Sequence, residues 1–314
     1  MKILLTGATG FVGRRLVESL EGLPDRELTC AVRKSGAVNC TREALVHDLD
    51  ADTDWSGAIG GQHVVIHAAA RAHIMKDELA DPLAEYRRVN VEGTLNLARQ
   101  AIEAGVKRFI YISSIKVNGE QTSEGNPFTE DYKPAPEDPY GISKMEAEQA
   151  LQSLATDIGM ELVIIRPTLV YGPKAKGNFA TMVKVVGKGL PLPLGAVHNK
   201  RSLVALDNLV DLILTCINHP AAAGEVFLAS DGEDLSTTEL LQGVAHAMGR
   251  PLRLIPVPSG LLMFGATLLG KKAIAQRLLG SLQVDISKAR NVLNWRPPVT
   301  VEEGLARAVG KQNG

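Results

Sequence analysis

The sequence predicts a doubly wound, parallel α/β sheet followed by a smaller mixed α/β lobe, on three observations. Short apolar runs alternate with amphipathic stretches through the first half of the chain. Two of those runs, Val64-Val65-Ile66 and Val163-Ile164-Ile165, are apolar at every residue, as strands buried on both faces are. A glycine-rich turn follows the first run. Strands are expected at 2–6, 27–32, 44–47, 63–67, 108–112 and 161–165. Helices are expected from Phe11, over 78–104 with a bend near Pro82, and over 139–158. After Arg166-Pro167 the chain is crowded with Gly172, Pro173, Gly177, Gly187, Gly189, Pro191, Pro193 and Gly195, which predicts loops and short elements. A strand-helix-strand unit at 203–206, 208–217 and 225–229 reads as a return to the large sheet. The expected division is 1–168, joined by 201–230, against 169–200 with 231–314.

At 314 residues with 45% hydrophobic side chains, the chain has material for one large core and a smaller companion. Its 34 basic and 35 acidic residues nearly cancel and no run of like charge stands out. Neither a nucleic-acid groove nor a polybasic membrane patch is therefore expected, and the partner is read as a small molecule. Cys30, Cys40 and Cys216 are widely spaced, which fits reduced, packed thiols in a cytoplasmic protein and offers neither a disulfide framework nor a metal site. The apolar run after Lys2 ends at Thr6, too short for a secretion signal. The stretch GLLMFGATLLG at 260–270 is about half the length that crosses a bilayer. It is read as a buried or interface helix, so no membrane span is expected.

Gly7, Gly10 and Gly13 stand between the first expected strand and the first expected helix. Without side chains the backbone can turn tightly against a pyrophosphate, and the free N–H groups at the helix start face its charge. A dinucleotide is expected on Gly7, Gly10, Phe11, Val12 and Gly13. The end of the second strand should meet the adenosine ribose about 20 residues further on. Arg33 and Lys34 stand there, where an acid would select NAD. Their charges suit a 2′-phosphate, so NADP(H) is favoured over NAD(H); the alternative is a solvated basic strand end.

Tyr140 and Lys144 are four residues apart and share a helix face. A phenol ionises near pH ~10, and positive charge from Lys144 and an oxidised nicotinamide would lower that value enough for proton exchange. The spacing alone is common, so the setting decides. Ser113-Ser114 ends an expected strand upstream, at the carboxyl edge where open α/β sheets place ligands, and a hydroxyl there can bond a substrate oxygen.

Together these residues resemble the extended short-chain dehydrogenase/reductase family over nearly the whole chain. The motifs are Gly7-xx-Gly10-xx-Gly13, Asp48-Leu49, His67-Ala68-Ala69-Ala70, Asn90 in Asn-Val-Glu-Gly-Thr, Ser113-Ser114, Tyr140-xxx-Lys144 and Arg166-Pro-Thr-Leu-Val-Tyr-Gly-Pro173. The resemblance implies a Rossmann domain in which Asp48 and Leu49 flank the adenine, Ala68, Ala69 and Ala70 line the diphosphate and ribose, Asn90 supports the Lys144 network, and Pro167 belongs to the cofactor site. It also implies a homodimer through helices at 92–104 and 147–157. The second lobe resembles that of nucleotide-sugar members, in which a basic clamp holds the UDP diphosphate. Asn178, Arg201 and Arg277 are the matching residues here, with surface ion pairs as the alternative for the two arginines.

Two departures refine the expectation. Epimerases of the group carry a small residue before Val-Tyr-Gly where this chain reads Ile115-Lys116-Val117-Asn118-Gly119, which sets Lys116 beside the sugar. They carry Asp where Arg33 stands. The resemblance therefore points first to an NADPH-dependent reductase of a UDP-4-keto-6-deoxy-N-acetylhexosamine, serving surface-polysaccharide synthesis, with Ser114, Tyr140 and Lys144 as the catalytic residues. A UDP-sugar 4-epimerase that retains NAD is the alternative, and a non-catalytic NADP sensor is a third.

Overall fold

Strands with no polar face belong where helices cover both sides of a sheet, and the apolar runs of this chain pair accordingly. The computed structural model describes residues 1–71, 80–175 and 177–310. Its strands are β1 (Lys2–Thr6), β2 (Glu27–Val32), β3 (Arg42–Leu45), β4 (Val64–His67), β5 (Arg108–Ile112), β6 (Glu161–Pro167), β7 (Leu169–Tyr171), β8 (Arg201–Ala205), β9 (Val226–Ala229) and β10 (Asp234–Leu235). Seven of them form one parallel sheet in the order β3-β2-β1-β4-β5-β6-β9. The order reverses between β1 and β4, so the crevice beyond their carboxyl ends is the natural ligand position.

Alternation along β1 divides the interior. Ile3 and Leu5 join Leu16, Leu20, Leu209 and Ile213 on one face, beneath the helices Phe11–Glu21 and Leu206–Asn218. Leu4 joins Val65, Leu97, Phe109, Ala147 and Leu151 on the other, beneath Gly93–Glu103 and Pro139–Ile158. A third cluster, with Tyr171, Phe179, Leu203, Leu240 and Leu305, supports a small sheet of order β10-β8-β7. Asp138 caps the helix Pro139–Ile158 by accepting from Gly141 N–H at 2.7 Å, and Gly159 ends it in the left-handed region.

Several sequence expectations are corrected here. The segment expected to return at 203–206 does not enter the large sheet. The free edge of β6 is taken by β9, with Ile164 opposite Val226, and β8 pairs with β7 instead. The helix expected over 78–104 has its first part outside the described residues. What is described is Pro82–Arg87, capped by Asp81, then a wide π-helical turn at Arg88–Glu92, then Gly93–Glu103. Cys30 and Cys40, expected as separate thiols, are joined as a disulfide with Cα atoms 6.5 Å apart, because the loop after β2 doubles back along the strand; Cys216 is free and buried. The helix Ser259–Leu268, expected buried or at an interface, has no buried residue within this chain, which overturns the buried reading and leaves the interface one standing. No helix among the described residues is long and apolar enough to cross a membrane.

A Cβ added at Gly13 would lie 2.0 Å from the Gly7 carbonyl oxygen and 2.9 Å from the Ala8 Cα, so the first helix seats on the turn only without a side chain there. Gly13→Ala should destabilise the protein by about 1–3 kcal/mol in thermal or urea unfolding. Gly57→Ala, whose Cβ would meet open space, is the control expected to lose nothing.

Candidate active site

Gly7 takes the left-handed region at φ +72°, and the Gly10 N–H donates to the Gly7 carbonyl at 2.8 Å, closing the turn after β1. A Cβ on Gly7 would fall 2.6 Å from Ala68 C and Ala69 N, so the turn lies against the segment that leaves β4. Beneath it the Thr6 hydroxyl is 2.7 Å from His67 Nδ1, and His67 Nε2 is 2.9 Å from the Thr94 hydroxyl; burial pushes this imidazole down to about 3, so it is neutral. The turn opens onto a cavity of about 500 Å³ lined by Gly7, Gly10, Arg33, Asp48, Leu49 and Ala68 to Ala70.

An elongated group carrying a pyrophosphate fits this cradle: backbone lines one end, an exposed arginine the other, and the glycines leave no Cβ in between. Trp55 also lines the cavity, and its buried indole N–H has no partner among the described residues. The sequence did not single it out. Phe11 and Val12, expected at the cofactor, open the first helix with their side chains packed against the core, and Gly13 lies against the turn. Lys34 is exposed and does not line the cavity.

A second cavity, of about 270 Å³, lies beyond the ends of β5 and β6. Ser114, Lys116, Tyr140, Pro167, Asn178, Arg201 and Arg277 all line it, although they come from six separate stretches of chain. Pro167, expected at the cofactor, lines this second cavity. Ser114 begins the short turn Ile115–Val117 and bonds Tyr140, which Tyr86 meets edge-on at 6.0 Å. Desolvation raises the Tyr140 phenol above its ordinary value, and the Ser114 hydrogen bond opposes that rise. Lys116 is ion-paired with Asp138 and, at 2.8 Å, with Glu120, so its charge is already matched within the chain. The Arg201 guanidinium donates to the carbonyls of Arg277 at 2.9 Å and Gly280 at 3.1 Å, and burial lowers its pKa. It thus caps the C-terminal end of the helix Lys272–Leu279 while facing the cavity.

Lys144 sits behind Tyr140 on the same helix. Its ammonium is buried, donates to the Ile112 carbonyl at 2.8 Å and the Tyr111 hydroxyl at 3.2 Å, and lies 6.0 Å from the Tyr140 ring centre. Burial pushes it down to about 7, with Glu148 opposing. Asn90, expected in the Lys144 network, reaches that helix one residue earlier: its amide donates to Ser143 Oγ at 3.0 Å, and its oxygen accepts from Arg71 N–H at 2.8 Å.

Sequence reasoning also missed what holds this wall in place. Glu148, one helical turn beyond Lys144, accepts from Arg166 at 3.0 and 3.1 Å and bonds Ser113 Oγ; Arg166 donates on to Asn118 at 3.0 Å. Both charged side chains are nearly inaccessible. Adjacent serines therefore divide: Ser113 binds inward to the ion pair and Ser114 faces the cavity. An inward-facing Glu on a helix with an Arg-Pro strand end was the available signal.

Comparison with known proteins agrees with this architecture. The profile of the NAD dependent epimerase/dehydratase family matches residues 3–229. The UDP-glucose 4-epimerase of Vibrio cholerae is 54% identical over 306 residues, which is 96% of this chain and 93% of that protein. Among solved structures, the UDP-glucose 4-epimerase of Thermotoga maritima with UDP-glucose superposes with a TM-score of 0.76 at 24% identity, covering 98% of this chain and 97% of that one. That of Thermus thermophilus with NAD does so with 0.76 at 23% identity and 98% of each. These two likenesses establish the fold. The Vibrio cholerae relative overturns the expectation of a ketosugar reductase in favour of the epimerase alternative.

Between about pH 7 and the ordinary lysine range, the unfolded chain holds a proton that folded Lys144 lacks, so this group makes unfolding harder as pH rises through that window and adds nothing below it. Urea unfolding of ligand-free protein at pH ~7 and pH ~9 should show about 2 kcal/mol less gain in Lys144→Met than in the parent. Equal gains would refute the assignment.

Proposed function

The chain belongs to the NAD dependent epimerase/dehydratase family, and from that premise we propose that it is a UDP-sugar 4-epimerase interconverting UDP-glucose and UDP-galactose. The observation that carries the reading is the second cavity, where Tyr140 and Ser114 meet Asn178, Arg201 and Arg277. A proton-exchanging pair and a diphosphate clamp on one cavity suit a reaction in which the UDP end stays fixed while the sugar ring turns.

In this reading Gly7, Gly10 and Ala68 to Ala70 hold the dinucleotide. When bound, the oxidised nicotinamide supplies the hydride acceptor for C4 and a positive charge that favours the phenolate. Tyr140 takes the C4 hydroxyl proton and returns it to the same oxygen after the ring has presented its other face. Ser114 donates to that oxygen throughout, and Lys144 supports the ionised phenol from behind. Arg201 and Arg277 hold the diphosphate, so the sugar turns without leaving. Proton and hydride both come back, which balances the reaction with no net redox change.

Nuclear magnetic resonance of UDP-glucose incubated with the pure protein should show UDP-galactose forming without added reductant. Tyr140→Phe should slow this by about 10²- to 10⁴-fold while the protein stays folded. Absence of any interconversion by the parent protein would overturn the proposal.

The ribose end carries a separate reading. Arg33 lines the cofactor cavity with exposed charge, which supports NADP as the form held. Mass spectrometry of the cofactor released on denaturation should find NADP, and Arg33→Asp should shift the NADP/NAD affinity ratio toward NAD by about ten- to a hundredfold. An unchanged ratio would remove Arg33 from the selection.

A further inference from the structure

We propose that the helical pair Ser259–Leu268 and Lys272–Leu279 is a docking element for an anionic phospholipid bilayer, by which the second lobe rests on a membrane surface. The first helix presents Leu261, Phe264 and Leu268 on one stripe, exposed by 62, 64 and 73%, and Leu269 and Ile274 follow at 74 and 55%. Half of the large hydrophobic side chains exposed among the described residues lie between Ile255 and Ile274. Isolated exposed leucines are ordinary, but a contiguous set on a helix with nothing buried needs an occupant.

Charge identifies which occupant. Residues 240–284 contain no Asp or Glu, in a chain that is otherwise nearly neutral, while Arg250, Arg253, Lys271, Lys272 and Arg277 all lie in this stretch. The basic residues are dispersed, so a search for charge runs passes over them. Arg250, Arg253, Lys271 and Lys272 are exposed and make no ion pair among the described residues. Lys271 and Lys272 follow the apolar helix directly.

An apolar stripe that enters the acyl boundary, flanked by lysines that stay with the headgroups, is the combination that holds a peripheral helix on a bilayer. Stable attachment requires two weak signals, and this element carries both. A second copy of the chain fits less well, because a two-fold contact sets each patch against itself and brings the same cations face to face. Arg277, on the second helix, also lines the substrate cavity, so the docking element and the cavity share one helix. The inference does not depend on which sugar nucleotide the cavity takes.

Sedimentation of the full-length protein with vesicles tests the proposal. Vesicles of phosphatidylcholine with about 30% phosphatidylglycerol should pull down at least about tenfold more protein than phosphatidylcholine alone, and high salt should weaken the binding. The double substitution Phe264→Glu with Leu268→Glu should abolish sedimentation. Lys271→Glu with Lys272→Glu should reduce it about tenfold, with circular dichroism unchanged in both, as expected for exposed positions. The proposal is overturned if the folded parent protein stays in the supernatant with anionic vesicles, or if binding is indifferent to both substitutions. It is also overturned if vesicle binding is absent and light scattering shows an oligomer that Phe264→Glu with Leu268→Glu dissociates, which would assign the patch to a second copy.

Discussion

The buried ion pair between Glu148 and Arg166 is the interaction on which the candidate active site depends. It joins the helix that carries Tyr140 and Lys144 to β6, and through Ser113 and Asn118 it reaches the end of β5 and the turn that carries Ser114. A charge pair with so little solvent contact is tolerated when its remaining hydrogen-bond positions are filled, as they are here. Removing one partner of such a pair typically destabilises a protein by about 3–5 kcal/mol. The geometry of Ser114, Tyr140 and Lys144 is thus set one layer behind them.

With that wall in place, the protonation states follow from burial. Lys144 is held where its charge is nearly as easily lost as kept, and Tyr140 resists ionisation. Tyr140 is therefore neutral at rest while Lys144 is poised between its two states, and ionisation of the phenol is favoured by any cation brought beside it. Both cavities open at the carboxyl edge of the sheet, but separate parts of the chain line them. The first uses the ends of β1 to β4 and the segments that follow them; the second combines the ends of β5 and β6 with Asn178, Arg201 and Arg277 from the later lobe. Arg201 also caps the helix bearing Arg277, so the two arginines form one structural unit.

Much of the large sheet was legible in the residues because local rules decide it. All-apolar runs of strand length, a glycine turn before an amphipathic helix, and a Pro-led helix closed by glycine each operate within a few residues. The first, second and fifth strands and the helix Pro139–Ile158 stand where periodicity put them. The cradle glycines and the Tyr140, Lys144 and Ser114 set were legible for the same reason, since each depends on spacing along one element. Lys116 pairs with Asp138 and Asn90 with Ser143, partners that no local pattern names, because they are neighbours only after folding.

By itself, the sequence determined the fold class, the cradle, the helix face shared by Tyr140 and Lys144, and the preponderance of cations between Glu239 and Asp285. Tertiary structure alone decided that β8 leaves the large sheet, that Cys30 meets Cys40, that Ser113 and Ser114 face opposite ways, and that the helix Ser259–Leu268 lies uncovered. The physical reason is common to all four. Each depends on competition for one place, a sheet edge, a sulfur partner, a buried carboxylate or a packing surface, between segments far apart in the chain. No local pattern records which of them prevails.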